Sequence, residues 1–171
     1  AGAASIELDI HVSADSELIV IHDATVDRTS NGHGAIAELT AAQIAKLDAG
    51  SWKSPEFAGE KIPTLEEVLA LTLESNVIFN VEIKKFAGGQ DDAKRLTTLL
   101  RRYAPRGSSH IVSSFDLGAL LQVRQADATF PLAQIGSQGD ALLANAAKHH
   151  FPWIHCYCKT VNRELIYAAH R

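Results

Sequence analysis

The stretch "SIELDIHVSADSELIVIHD", residues 5–23, decides how the rest of the chain is read. Ile6, Leu8, Ile10 and Val12 recur every second residue, the period of a strand with one face in a core. Glu7 and Asp9 then share the other face. Only "SADSE" separates this run from a second apolar one, "LIVIH" at 18–22. So short a link cannot hold a helical crossover but suits a hairpin turn. A turn centred between Asp15 and Ser16 places Asp9 opposite His22 and Glu7 towards Asp23. Two acids and a histidine thus gather at one end of a sheet. His11 is read as pointing away from the acidic pair.

Beyond the hairpin, short β-rich runs alternate with helical ones. Strands are expected at 5–12, 18–22, 77–83, 109–114, 130–135 and 153–157. Helices are expected at 40–47, 64–74, 91–103, 116–126, 138–149 and 162–170. Thr64, with Glu67 three residues on and Pro63 before it, is a capping-box signature. Asp116 is placed to cap the helix carrying Leu117, Leu120, Leu121 and Val123 at near-helical spacing. Strands alternating with helices imply an α/β fold with parallel pairing and helices outside. No composition shift, repeat or low-complexity tract divides the chain, so a single domain over 1–171 is expected.

Composition excludes some classes of function. The 16 basic side chains are scattered and outnumbered by 20 acidic ones, which argues against a nucleic-acid surface. No apolar run approaches a membrane span, and no charged-then-apolar leader precedes residue 5. Methionine is absent, including from position 1, so the sequence as given does not open at an initiator. Cys156 and Cys158 lie two apart, unsuited to pairing with each other and too few for a zinc site. They are read as small buried apolar residues. Two thiols without a disulfide framework favour a reducing compartment, a bacterial cytoplasm over a periplasm.

The strand "NVEIKK" repeats the opening pattern, with Glu82 and Lys84 on one face and Val81 and Ile83 on the other. Charged groups on a buried strand are costly unless paired or bound to something. Strand ends converge on one side of a parallel barrel, so Glu82 can join Glu7 and Asp9 as a third oxygen donor. Three carboxylates with no cysteine nearby suit a hard divalent cation, Mg²⁺ or Ca²⁺. The plainer alternative is that each acid pairs with a Lys or Arg. His22 reads as a general acid or base, because imidazole titrates close to neutrality; a hydrogen-bonded strand-end histidine is the alternative. His155, at a later strand end, is a further site candidate. His33 sits in a Gly-flanked turn, and His149, His150 and His170 fall on or near polar helix surfaces. The glycines of "TSNGHG" read as turn residues rather than a phosphate-cradling loop.

The segments "IELDIHVSAD", "IVIHDATVDRTSNGHG", "LDAGSWKSPEFAGEKIPTLEEVL", "NVEIKK" and "IVSSFD" occur in this order. Together they resemble the glycerophosphodiester phosphodiesterase family, most closely its compact bacterial members. The resemblance implies a (β/α)₈ TIM barrel and hydrolysis of a small-molecule glycerophosphodiester to glycerol 3-phosphate and an alcohol. It also implies a divalent cation. Glu7, Asp9 and Glu82 match the family's metal-binding acids. His22 matches its second catalytic histidine and Lys84 the lysine that neutralises phosphate charge. Phe115 falls where the family lines its pocket, and His155 is assigned to the substrate side with it. The family's opening strand, with a His-Arg-Gly motif, has no match here, nor has its closing aromatic–Thr–Val–Asn strand; "TVN" at 160–162 precedes a helix instead. An incomplete barrel of about six strands out of eight is therefore expected, impaired in catalysis on its own and prone to self-association through open sheet edges. Two rival readings are a non-catalytic relative binding a metal or a polyol phosphate, and a phospholipase-type lyase on the same barrel plan.

Overall fold

The opening hairpin forms in a computed structural model of the chain, which describes residues 2–71, 77–105, 107 and 109–170. Strand β1 (Ser5–Val12) turns back antiparallel into β2 (Leu18–Val20), with Ile10 opposite Val20 and Val12 opposite Leu18. The pairing is centred on Asp15, one residue from the expected register. Three residues, Ala14–Ser16, form the loop: Ser16 N–H donates to the Ser13 carbonyl, and Ser13 N–H to that of Glu17. Ser16 takes the left-handed conformation, φ 67°, that three-residue hairpin loops require at this position and that glycine usually fills. Asp9 therefore pairs with Ile21, whose N–H reaches the Asp9 carbonyl at 3.1 Å, rather than with His22.

Parallel strands β3 (Ile78–Lys85), β4 (Ile111–Ser114), β5 (Leu132–Gly136) and β6 (Trp153–Cys156) extend the sheet in the order β2-β1-β3-β4-β5-β6. Helices α1 (Ala41–Ile44), α2 (Leu65–Leu71), α3 (Gln90–Arg102), α4 (Leu117–Ala126), α5 (Gly139–His149) and α6 (Arg163–Ala169) fill the connections. Among the described residues the sheet does not close, and β2 and β6 are its edges. The expected helix over 64–74 is seen to Leu71, residues 72–74 lying outside the described residues. Its capping box is present, with Glu67 N–H on Thr64 Oγ1 at 3.2 Å and Thr64 N–H on Glu67 Oε2 at 2.8 Å. Asp116 caps α4 through Gly118 N–H at 2.7 Å.

Leu8, Ile10 and Val12 pack with Phe79, Val81 and Ile83 of β3 against Leu96 and Leu100 of α3 and Leu120 and Val123 of α4. Burying each such side chain stabilises the fold by roughly 1.5–3 kcal/mol. In α3, acids Asp91 and Asp92 open the helix and Arg101 and Arg102 close it, complementing its dipole. A second cluster, Ile19, Ile21, Val26, Ile36, Ile44 and Ile62, anchors the long segment between β2 and α2. Asp48 ties part of that segment together by accepting from the N–H groups of Gly50, Ser51 and Gly59. The burial expected of the cysteines fails. Cys158 is exposed and Cys156 half-buried, so neither is a core residue, and both thiols are free. His110 is a core residue instead: its Nδ1 accepts from Phe79 N–H at 3.0 Å and its Nε2 reaches the Tyr103 carbonyl.

Candidate active site

The parallel ladder sets Asp9 beside Glu82 and Glu7 beside Asn80. One carboxylate oxygen from each of Glu7, Asp9 and Glu82 lies within 4.8 Å of the others. Their parity turns these side chains to the sheet face opposite Leu8 and Ile10, away from the helices. Burial raises the pKa of Glu7, and the like charges of Asp9 and Glu82 raise it further.

Lys84 sits between two of these acids, its Nζ 2.8 Å from Asp9 Oδ1 and 2.5 Å from Glu82 Oε1. Alternation from Glu82 aims it there. Just at this point the register passes from Ile10 opposite Ile83 to His11 opposite Lys85, so Lys84 is an extra residue on β3, a bulge. Burial opposes its charge, but Asp9 and Glu82 outweigh that and lift its pKa. Three carboxylates facing one ammonium leave two negative charges over, which a divalent cation balances. Opposite oxygens around Ca²⁺ stand about 4.6–5.2 Å apart and around Mg²⁺ about 4.0–4.2 Å. The cluster thus fits a hard divalent ion with little rearrangement.

His22 follows the last rung of the hairpin, its side chain 66% exposed. Its Nδ1 lies 2.7 Å from Asp23 Oδ1, and Arg28 grips the same carboxylate through Nε at 2.5 Å and a terminal nitrogen at 2.9 Å. Arg28 first, and His22 second, hold the Asp23 carboxyl well below its ordinary pKa. An ionised Asp23 only accepts, so Nδ1 carries the proton and the Nε2 lone pair of the neutral ring is left for chemistry. His22 does not face Asp9 across the hairpin; the Ile21 N–H bond to the Asp9 carbonyl and the contact of His11 with the His22 carbonyl set it beside β1, the strand that carries Glu7 and Asp9.

His11 does not point away. It has the parity of Glu7 and Asp9, alternating with buried Leu8, Ile10 and Val12, and its Nε2 lies 3.1 Å from the His22 carbonyl oxygen. Burial lowers its pKa. His155 is half-buried at the far edge of the sheet; burial lowers its pKa too, and the Glu82 carboxylate pulls the other way. Phe115, just past β4, has the parity of Ser113 and is 64% exposed. His33 is a surface turn residue as read, 3.1 Å from Asp27. Sequence reasoning missed Asp23, Arg28 and His11 as site residues. Counting by twos from Glu7 exposes His11; the irregular loop "DATVDR" has no period to reveal the contact of Arg28 with Asp23.

The sequence profile of the glycerophosphoryl diester phosphodiesterase family matches residues 1–171. The chain belongs to this family. A glycerophosphodiester phosphodiesterase of Caldanaerobacter subterraneus subsp. tengcongensis is 51% identical over 83 residues, covering 48% of this chain and 34% of that protein. One from Bacillus subtilis is 34% identical over 143 residues, 76% of this chain and 48% of the relative. Bovine glycerophosphodiester phosphodiesterase 1 is 37% identical over 128 residues, 74% of this chain and 38% of the relative. The chain thus spans between a third and a half of the length of these curated relatives. Among solved structures, the Agrobacterium tumefaciens str. C58 glycerophosphodiester phosphodiesterase matches with a TM-score of 0.84 at 27% identity, over 99% of this chain and 71% of that one. An Oleispira antarctica phosphodiesterase, solved with the product sn-glycerol-3-phosphate, matches in fold with a TM-score of 0.90 at 24% identity, over 99% and 69%. The six-strand sheet is accordingly an incomplete barrel of the family type, as the sequence implied.

Proposed function

We propose that the protein hydrolyses glycerophosphodiesters to glycerol 3-phosphate and an alcohol, with a divalent cation, Mg²⁺ or Ca²⁺, held by Glu7, Asp9 and Glu82. The observation that carries this reading is the carboxylate triad with Lys84 bridging two of its members, in a chain of this family. Bound there, the cation would supply Lewis-acid stabilisation of charge on the phosphoryl oxygens. Lys84 lies close enough to share that load on the phosphate. His22, with Nδ1 fixed by Asp23, presents Nε2 to take a proton from an attacking oxygen or return one to a departing oxygen. Phe115 and His155 line the substrate side.

The test is incubation of the protein, expressed from its complete reading frame, with glycerophosphocholine and glycerophosphoethanolamine, followed by ³¹P NMR. Glycerol 3-phosphate is expected directly, abolished by chelator and restored by Ca²⁺ or Mg²⁺. A cyclic phosphate product would show a lyase instead, and cation binding without turnover a non-catalytic binder.

A further inference from the structure

We propose that His11 is a positioning residue for His22, its ring Nε2–H holding the His22 main-chain carbonyl so that His22 keeps its place beside the strand that carries Glu7 and Asp9. The inference rests on the catalytic role given to His22 above. The hairpin ladder ends at the Ile21 N–H bond to Asp9, and the chain is next tied at Ala24, whose carbonyl accepts from Ile36 N–H. His22 therefore sits in irregular backbone between these two ties. Its ring is oriented by Asp23, but Asp23 belongs to the same irregular segment and is gripped from Arg28, further along it. That arrangement fixes the ring relative to its own loop, not relative to Glu7, Asp9 and Glu82.

His11 makes the missing connection. It lies on β1 two residues from Asp9, on the acidic face, and its Nε2 is 3.1 Å from the His22 carbonyl oxygen. A carbonyl can only accept, so Nε2 carries the proton. Buried Ile10 and Val12, 1% and 4% exposed, hold the strand beneath it. The tether thus references the general acid–base group to the strand that carries two of the three carboxylates. A misplacement of about 1 Å at a reacting group costs on the order of 10²-fold in rate, so one such tether has kinetic weight without touching substrate.

The experiment compares His11→Leu, which keeps bulk and loses the donor, with His11→Gln, whose amide N–H reaches about as far as Nε2, in the protein of the complete reading frame. Turnover, Ca²⁺ affinity and the ¹⁵N relaxation of the His22 and Asp23 amides are measured for each. His11→Leu is expected to lower kcat by about five- to fiftyfold, leave KM and Ca²⁺ affinity within about twofold and loosen the two amides; His11→Gln should recover most of both effects. If His11→Leu does not fold, His11→Asn, polar but too short to reach the carbonyl, takes its place with the same expectations. Amides as ordered as in the parent, or a Gln variant no better than the Leu variant, would overturn the proposal. If the parent does not hydrolyse glycerophosphodiesters at all, the catalytic reading fails separately, and the amide relaxation still decides whether His11 tethers His22.

Discussion

Replacing Glu82 with Gln tests the cation site most directly, because it removes one charge while keeping the volume of a buried side chain. A unit charge about 2.4 Å from a divalent ion is worth about 3.5 kcal/mol even at the dielectric constant of water. Glu82 is buried, with 11% of its side chain exposed, so the local dielectric is lower and the direct loss larger. Two effects oppose it: the neutral amide would be cheaper to bury, and Lys84 would be left with Asp9 alone. A net loss near 3 kcal/mol, about a hundredfold in Ca²⁺ affinity, is expected at about 1.4 kcal/mol per decade. Isothermal titration reads this directly. Thermal unfolding reads it independently: at a Ca²⁺ concentration about 1,000 times the parent's Kd the parent gains about 4 kcal/mol, and the variant, now at about ten times its Kd, gains about 1.4 kcal/mol. Glu56→Gln, an exposed acid far along the chain, should leave both readouts unchanged. If Glu82→Gln binds Ca²⁺ as tightly as the parent, the carboxylate triad is not the cation site, whatever the catalytic outcome.

Other expectations follow from the same geometry. Asp23→Asn removes the charge that keeps His22 Nδ1 protonated and releases Arg28; kcat should fall by about ten- to a hundredfold with little change in Ca²⁺ affinity, within the range ascribed to a general acid–base group. For Glu7 the folded-state pKa is raised above its ordinary 4.5, so in cation-free protein its contribution to stability is present at low pH and lost as pH rises through the raised value. Glu7→Gln should flatten that part of a cation-free melting profile, and an unchanged profile would contradict the clustering of like charges. Thr64→Ala breaks the capping box of α2 and should cost about 1 kcal/mol by denaturant unfolding, with Glu67→Ala giving a smaller loss. The 171-residue chain expressed alone carries an open β6 edge with Trp153 and Tyr157 each 52% exposed; sedimentation should show self-association, and a monodisperse monomer would refute the reading of that edge.

Elements with strong local periodicity were legible in the sequence. β1, β3 and α4 lie within a few residues of their expected bounds, because alternation, helical spacing and a capping Asp are local signals. The triad was legible too, since Glu7, Asp9 and Glu82 interrupt strands otherwise filled by Ile, Leu and Val. The hairpin register was not. A two-residue and a three-residue loop differ by one position, and the residue that decides between them is Ser16 rather than a glycine that would have marked the left-handed turn. The partners of His22 were also hidden, because Asp23 and Arg28 meet in a loop whose path is set by the distant cluster of Ile21, Val26, Ile36 and Ile62. Burial of the cysteines was misjudged because Cys156 ends an edge strand with a partner on one side only and Cys158 lies past that strand, in a 3₁₀ turn.

The bulge in β3 separates what a residue is from the shape of the backbone that carries it. Lys84 is the extra residue, and the next residue is also a lysine. Deleting one of the two would keep an ammonium at that point of the sequence while restoring an even ladder opposite His11, the lost length falling on the loop before α3, where Asp92 holds the N–H groups of Ala87 and Gly88. Few side chains offer such a clean division: a change of shape alone, at constant composition of the site, made by shortening the chain by a single residue.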